Sequence, residues 1–152
     1  MIRDMPEYPT VVPYLSVRDA SRALAFYRDA FGAEETRRLV DPAGGVIHAE
    51  VRLGGAPVML AEENAAWGNH SPASLGGTAV RLVLNVPDVD AVVARAVAAG
   101  ATVVIPVADQ FYGERAGRVA DPFGHQWIVS TRIEDVSTDE MQRRATALYG
   151  DG

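Results

Sequence analysis

Gly117-Arg-Val-Ala-Asp-Pro-Phe-Gly-His-Gln-Trp-Ile-Val129 decides the reading of this 152-residue chain, because an earlier stretch has the same layout. Gly45-Val-Ile-His-Ala-Glu-Val-Arg-Leu-Gly-Gly-Ala-Pro-Val-Met-Leu60 likewise sets a strand-like run, a glycine turn and a second strand-like run in succession. Working outward, Tyr14-Leu-Ser-Val17 is matched by Val83-Leu-Asn-Val86, and Ala30-Phe-Gly-Ala33 by Ala98-Ala-Gly-Ala101. Val17 and Val86, Gly32 and Gly100, and Gly55 and Gly124 are separated by 69, 68 and 69 residues. Self-similarity at one spacing predicts two copies of a single supersecondary unit. Two such copies, paired, leave a cavity between their equivalent faces.

Local patterns give the unit its content. Ile47, Ala49, Val51 and Leu53 alternate with His48, Glu50 and Arg52, the period of a half-buried strand. Gly54-Gly55 closes a hairpin, and residues 57–61 return. Upstream, residues 10–17 are β-rich and hold Pro13, which predicts an edge strand or one in which that amide is not needed. Asp19 is placed to cap a helix on which Ala20, Leu24, Tyr27 and Phe31 recur, and Gly32 ends it. Residues 35–40 read as a strand and Asp41-Pro-Ala-Gly-Gly45 as a turn.

The second copy repeats the order. A strand with Leu82, Leu84 and Val86 precedes a helix from Pro87-Asp88 that carries Val89, Val92, Val93 and Ala96 and stops at Gly100. Strands follow at 102–107, 118–120 and 126–131, the last two joined by Asp121-Pro-Phe-Gly124. Each copy reads βαβββ, so the class is α+β with tandem repeats forming a cupped mixed sheet. All 152 residues form one domain on this reading: repeat one about 10–63, a polar linker 64–78, repeat two about 79–132. The capping box Ser137-Thr-Asp-Glu140 opens a tail helix over 137–149.

Bulk properties exclude several partners. Lys and Arg number 14 against 20 Asp and Glu, a net charge of −6 with no basic cluster, which argues against nucleic acid. No apolar run is long enough to span a membrane, and the start does not resemble a signal peptide. The absence of cysteine removes disulfides, thiolate nucleophiles and sulfur-ligated metals. The cytoplasm is the expected compartment.

Candidate chemistry is sparse. His48 and Glu50 lie two apart on a strand and share a face, so they form either an oriented general base or part of a solvated polar face. The loop Asp109-Gln-Phe-Tyr-Gly-Glu-Arg115 offers Phe111, Tyr112 and Arg115 to a planar or anionic ligand; alternatively the rings pack a hairpin and Glu114 pairs with Arg115. Trp67 in the linker is either a lid over a ligand or a cover on the core. His70 reads as exposed, His125 and Asp121 as turn residues, and Phe123 and Trp127 as core.

The tandem βαβββ pattern with Asp121-Pro-Phe-Gly-His-Gln-Trp127 resembles the vicinal oxygen chelate superfamily of glyoxalases, bleomycin-resistance proteins, fosfomycin-resistance enzymes and extradiol dioxygenases. Pro13-Tyr-Leu, Ile47-His-Ala-Glu50, Met59-Leu-Ala-Glu-Glu63 and Arg118-Val-Ala-Asp-Pro-Phe-Gly-His125 are similar to its PhnB-like branch, and the likeness runs over roughly residues 10–132. The resemblance places metal ligands at Val12, Met59, Arg81 and Ile128, none of which is a usual ligand. A divalent ion needs converging lone pairs, and Arg81 would set a cation there instead. No metal or other cofactor is therefore expected. Strand parity places Tyr14, Met59, Arg81, Asn85 and Ile128 on the cupped face with His48 and Glu50, the makeup of a small-molecule site.

The expectation is a metal-independent protein of bleomycin-resistance type that sequesters an antibiotic or metabolite, and by resemblance a homodimer. The competing expectation is a lyase or isomerase of the same superfamily that uses His48 and Glu50, with a non-standard metal site as a variant.

Overall fold

Hydrogen-bonding order within each repeat follows from one parallel pairing, first strand to last, and two antiparallel hairpins. The computed structural model describes residues 7–150. The first repeat comprises β1 (Tyr14–Val17), α1 (Ala20–Phe31), β2 (Glu34–Val40), β3 (Val46–Leu53) and β4 (Ala56–Glu62), in sheet order β1-β4-β3-β2. The second comprises β5 (Arg81–Asn85), α3 (Val89–Ala98), β6 (Thr102–Asp109), β7 (Glu114–Ala120) and β8 (Gln126–Arg132), in order β5-β8-β7-β6. Between them lies α2 (Pro72–Leu75), and α4 (Thr138–Tyr149) closes the described chain. The protein is thus mixed α+β with two four-stranded sheets of identical topology. The chain divides into two compact units, one ending at Gly77 and one starting at Thr78.

In the first unit Leu15, Val17, Ala49, Val51, Leu53, Val58 and Leu60 are buried, with Ala20, Ala23, Leu24 and Tyr27 of α1. Asp19 caps α1 by accepting from the Arg22 amide, and Gly32 ends the helix with φ 70°. In the second unit Val119, Trp127 and Val129 are buried together with Val89, Val92, Val93 and Ala96 of α3. The end of each parallel last strand also holds the start of each helix. Glu62 accepts from the amides of Asp19 (2.9 Å) and Ala20 (2.7 Å), satisfying orphan donors at the helix N-terminus. At the equivalent place Thr131 Oγ1 accepts from the Val89 amide (2.9 Å) and donates to the Val86 carbonyl (2.8 Å).

Three expectations are corrected. Ile47, read as an inward position, is 45% exposed, while Val46 is buried. The cause is a register shift between Leu39 and Val40, which pair with His48 and Val46 and reset the alternation at the start of β3. The linker is not irregular throughout: Asn64 caps a 3-10 turn, Ala65–Trp67, and Ser71 caps α2. Glu114 does not pair with Arg115. It accepts from Ser130 Oγ at 2.7 Å, and Arg115 pairs with Asp90 (2.8 Å) and Asp109 (3.0 Å).

Candidate functional site

Strand register assembles the site on the face of the first sheet turned away from α1. Tyr14 of β1 pairs with Met59 of β4, and Met59 with Glu50 of β3. Glu50 in turn pairs with Arg37 of β2, and His48 with Leu39. Tyr14, Met59, Glu50 and Arg37 thus form one row across the sheet. His48 stands in the next row, two residues before Glu50 on the same strand face.

The side chains in these rows are joined. Tyr14 Oη lies 2.7 Å from His48 Nδ1, and His48 Nε2 lies 3.0 Å from Glu50 Oε1. Tyr8 donates its hydroxyl to Glu50 Oε2 at 2.7 Å, and Arg37 Nη1 approaches Oε1 at 3.7 Å. Glu50 is only 5% exposed, so this is not a solvated polar face. Burial pushes its pKa up, but hydrogen bonds from His48 and Tyr8 and the charge of Arg37 outweigh that and hold it below the ordinary carboxylate value. Tyr14 is pushed the other way, by burial first and by the Glu50 charge second.

These directions leave Glu50 ionised and Tyr14 protonated at neutral pH. An ionised Glu50 accepts only, so His48 Nε2–H donates to it. In the tautomer that carries its proton on Nε2, Nδ1 has a lone pair that accepts from the protonated Tyr14 hydroxyl. Tyr14 and His48 both reach a cavity of about 500 Å3, lined also by Ile47, Ala61, Trp67 and Asn69. A polarised hydroxyl at such a wall can hold a ligand or exchange a proton with one.

Acidic groups edge the same cavity. Asp41, Glu62 and Glu63 line it, and no lysine or arginine does so among the described residues. Glu63 accepts from Ser71 Oγ, Ser74 Oγ and Arg18 Nε, tying β4 to α2. The two serine hydroxyls, more than Arg18, lower its pKa to about 2. A depressed folded value stabilises above the ordinary 4.5, and that contribution drains away as pH falls toward about 2. Emission from Trp67 is therefore expected to hold through the usual carboxylate range and to change only near pH 2, with Glu63→Gln removing that step. A step near pH 4.5 that the same variant abolishes would contradict the clamp.

The metal positions implied by the resemblance do not fit a divalent ion. In the first unit they carry an alkyl group (Val12) and a thioether (Met59), the latter beside Tyr14 and Glu50. In the second, Arg81 pairs with Gln126, and Ile128 lies between Val83 and Arg118. Hard and borderline cations need oxygen or imidazole donors, and these positions supply none. His48 and Glu50 bond to each other, and among the described residues no group of three acidic or histidine side chains could hold a metal.

The remaining candidates are distributed. Asn85 borders an open depression with Glu114, Ser130 and Arg132. Phe111 meets Tyr112 and Tyr149 edge-on, and its carbonyl accepts from Arg144, so it anchors α4. Arg115 is engaged on both sides by Asp90 and Asp109, which accounts for it as a surface ion-pair residue. Tyr112 and Ile128 line a separate small cavity with Arg118. Sequence reasoning missed Tyr8, Arg37 and Arg118. Tyr8 sits in a lead-in without periodicity, whereas Arg37 was reachable from the β2–β3 hairpin register.

Comparison with known proteins agrees with this architecture. An uncharacterized protein of Mycobacterium tuberculosis is 45% identical over 147 residues, covering 95% of this chain and 86% of that one. The crystal structure of an Arabidopsis thaliana gene product superposes with a TM-score of 0.67 at 31% identity, covering 82% of this chain and 99% of its own. TioX from Micromonospora sp. ML1 gives a TM-score of 0.65 at 28% identity, covering 84% of this chain and 100% of that one. The family model that matches residues 9–129 is that of the Glyoxalase/Bleomycin resistance protein/Dioxygenase superfamily, and the chain belongs to it.

Proposed function

We propose that the protein binds a small molecule, an antibiotic or a metabolite, over the open face of its first sheet and without the superfamily's usual metal. The cavity of about 500 Å3 at Tyr14, Ile47, His48 and Trp67 carries this reading. Small-molecule sites run roughly 300–1,000 Å3, mostly apolar with a few placed polar groups. Trp67 is 71% exposed and offers a stacking surface. The three lining carboxylates make the cavity negative, which suits an aromatic or peptide-like ligand bearing a cation. The finer kinship, with the PhnB-like branch, rests on Ile47-His-Ala-Glu50, the motif that supplies His48 and Glu50.

One observation favours a second reading. The Tyr14–His48–Glu50 chain is built like a proton relay, so a lyase or isomerase would use the Tyr14 hydroxyl as acid–base with His48 and Glu50 orienting it.

Fluorescence titration with cationic aromatic and peptide antibiotics tests the binding reading. Trp127 is 2% exposed, so a ligand-dependent change is expected from Trp67 and is expected to vanish in Trp67→Phe. His48→Ala is expected to weaken binding about tenfold, the worth of one good hydrogen bond. Turnover lost in that variant with affinity unchanged would favour the enzyme. No saturable response from any cationic member would remove the support for binding.

A further inference from the structure

We propose that residues 7–12 form an autoinhibitory strap on the first sheet, in which the Tyr8 hydroxyl withholds Glu50 from ligand until the segment lifts. Glu50 stands in the row Tyr14, Met59, Glu50 and Arg37, where Tyr14 is 52% exposed, yet Glu50 itself is buried. The lead-in supplies cover. Tyr8 donates to Glu50 Oε2 at 2.7 Å, and Arg52, on the same face of β3, reaches the Glu7 carbonyl at 3.4 Å.

Little else holds the strap. Glu7, Pro9, Thr10 and Val11 are exposed. Among the described residues, the first bond between main-chain groups runs from the Met59 amide to the Pro13 carbonyl, just past the segment. A charge-assisted bond from Tyr8 and a long one from Arg52 therefore stand against the chain freedom regained on lifting. Pro9 and Pro13 restrict the backbone, so the segment moves as a piece. The sheet keeps its own bonds when the strap goes: His48 and Arg37 stay on Glu50 Oε1, and Arg52 stays on the Gly55 carbonyl at 2.9 Å. Opening of this kind is local and leaves the core intact.

The place of the contact gives it a consequence. The cavity wall at Tyr14 and His48 leads through His48 Nε2 to Glu50 Oε1, and Tyr8 occupies the other oxygen. Closed, the strap ends the site at His48. Lifted, it frees Oε2 and extends the open face along Met59, Glu50 and Arg37. A ligand that reaches Glu50 must displace Tyr8, and its apparent affinity is reduced by the fraction of molecules already open. Only this consequence, and not the strap, rests on the ligand site proposed above. Glu7 and Tyr8 precede residues 9–129, so the contact is not part of the matched superfamily span.

Labelling of the full chain with a water-soluble carbodiimide and glycine ethyl ester, read by peptide mass spectrometry, tests the strap without a ligand. Tyr8→Ala is expected to speed modification of Glu50 about tenfold, the factor for a strap open about a tenth of the time, and to melt with the parent. Tyr8→Phe keeps the ring without the bond and should fall between. Thioflavin T, a cationic aromatic dye, tests the consequence: Tyr8→Ala is expected to bind it about tenfold more tightly, read by dye emission. Unchanged Glu50 labelling in both variants would overturn the strap. A clearly lowered melting temperature for Tyr8→Ala would do the same, because the segment would then be part of the fold. Equal or weaker dye binding by Tyr8→Ala would overturn the autoinhibition. If the dye saturates neither protein, the binding reading fails and the autoinhibition with it, while the labelling still decides the strap.

Discussion

Glu50→Ala is expected to destabilise the protein by ~2–4 kcal/mol and to weaken ligand binding at the first sheet by about tenfold or more. Three groups lose their acceptor together: the Tyr8 hydroxyl, His48 Nε2 and the Arg37 guanidinium. Because Glu50 is buried, water does not simply take its place. Removing a buried charge recovers some desolvation, which keeps the loss below the sum of the bonds. The binding loss arises one step further along, since His48 without Glu50 no longer fixes Nδ1 toward Tyr14.

Glu50→Gln should fall between, because His48 and Tyr8 bond different oxygens of Glu50 and the amide sets an N–H donor against one of them. The pH dependence carries a definite sign. Glu50 has a depressed folded pKa, so its stabilisation is present above the ordinary 4.5 and is lost as pH falls through the folded value. Denaturation of the parent at neutral and acid pH should show that loss, and Glu50→Gln should show less of it. Parental stability in both variants at neutral pH would refute the buried network.

Much of this was legible in the sequence where periodicity and repetition carry it. Alternation over residues 47–53 placed His48 and Glu50 on one face, and the 69-residue offset predicted both sheets. Pro13 predicted the edge strand, and β1 pairs only with β4 in its sheet. The failures have physical causes. The bulge in β3 at Ile47 leaves no mark in composition, yet it exchanges Val46 and Ile47 between core and cavity. Asn64 and Ser71 before small residues, the latter before Pro72, are helix-start signals, and they were overridden by the polar composition of the linker. Arg118 looks like any outward strand residue. That its Nε is buried without a hydrogen-bond partner is a property of the folded unit alone.

Asp121→Ala is expected to cost ~3–4 kcal/mol, the largest loss among the substitutions considered. Asp121 Oδ1 accepts from the amides of Phe123 (2.9 Å) and His125 (3.0 Å), and Oδ2 from Trp127 Nε1 (3.0 Å). It is 4% exposed, so all three donors lose a partner that water cannot easily replace. The chain contains its own control. Asp41-Pro-Ala-Gly-Gly45 forms the same turn, with Asp41 Oδ1 accepting from Ala43 (2.9 Å) and Gly45 (2.8 Å). In both turns the aspartate amide bonds the carbonyl four residues on, and the glycine amide bonds back. Asp41, however, is exposed and holds no indole. Asp41→Ala should therefore cost about 1 kcal/mol or less, the difference between the two variants measuring burial and the indole bond at constant turn geometry. Asp121→Asn keeps the Oδ1 acceptor but sets an amide N–H against the Trp127 N–H, so an intermediate loss with shifted Trp127 emission is expected. Equal costs at Asp41 and Asp121, measured by denaturant unfolding, would mean that turn geometry and not burial makes the Asp-Pro-Phe-Gly motif structural.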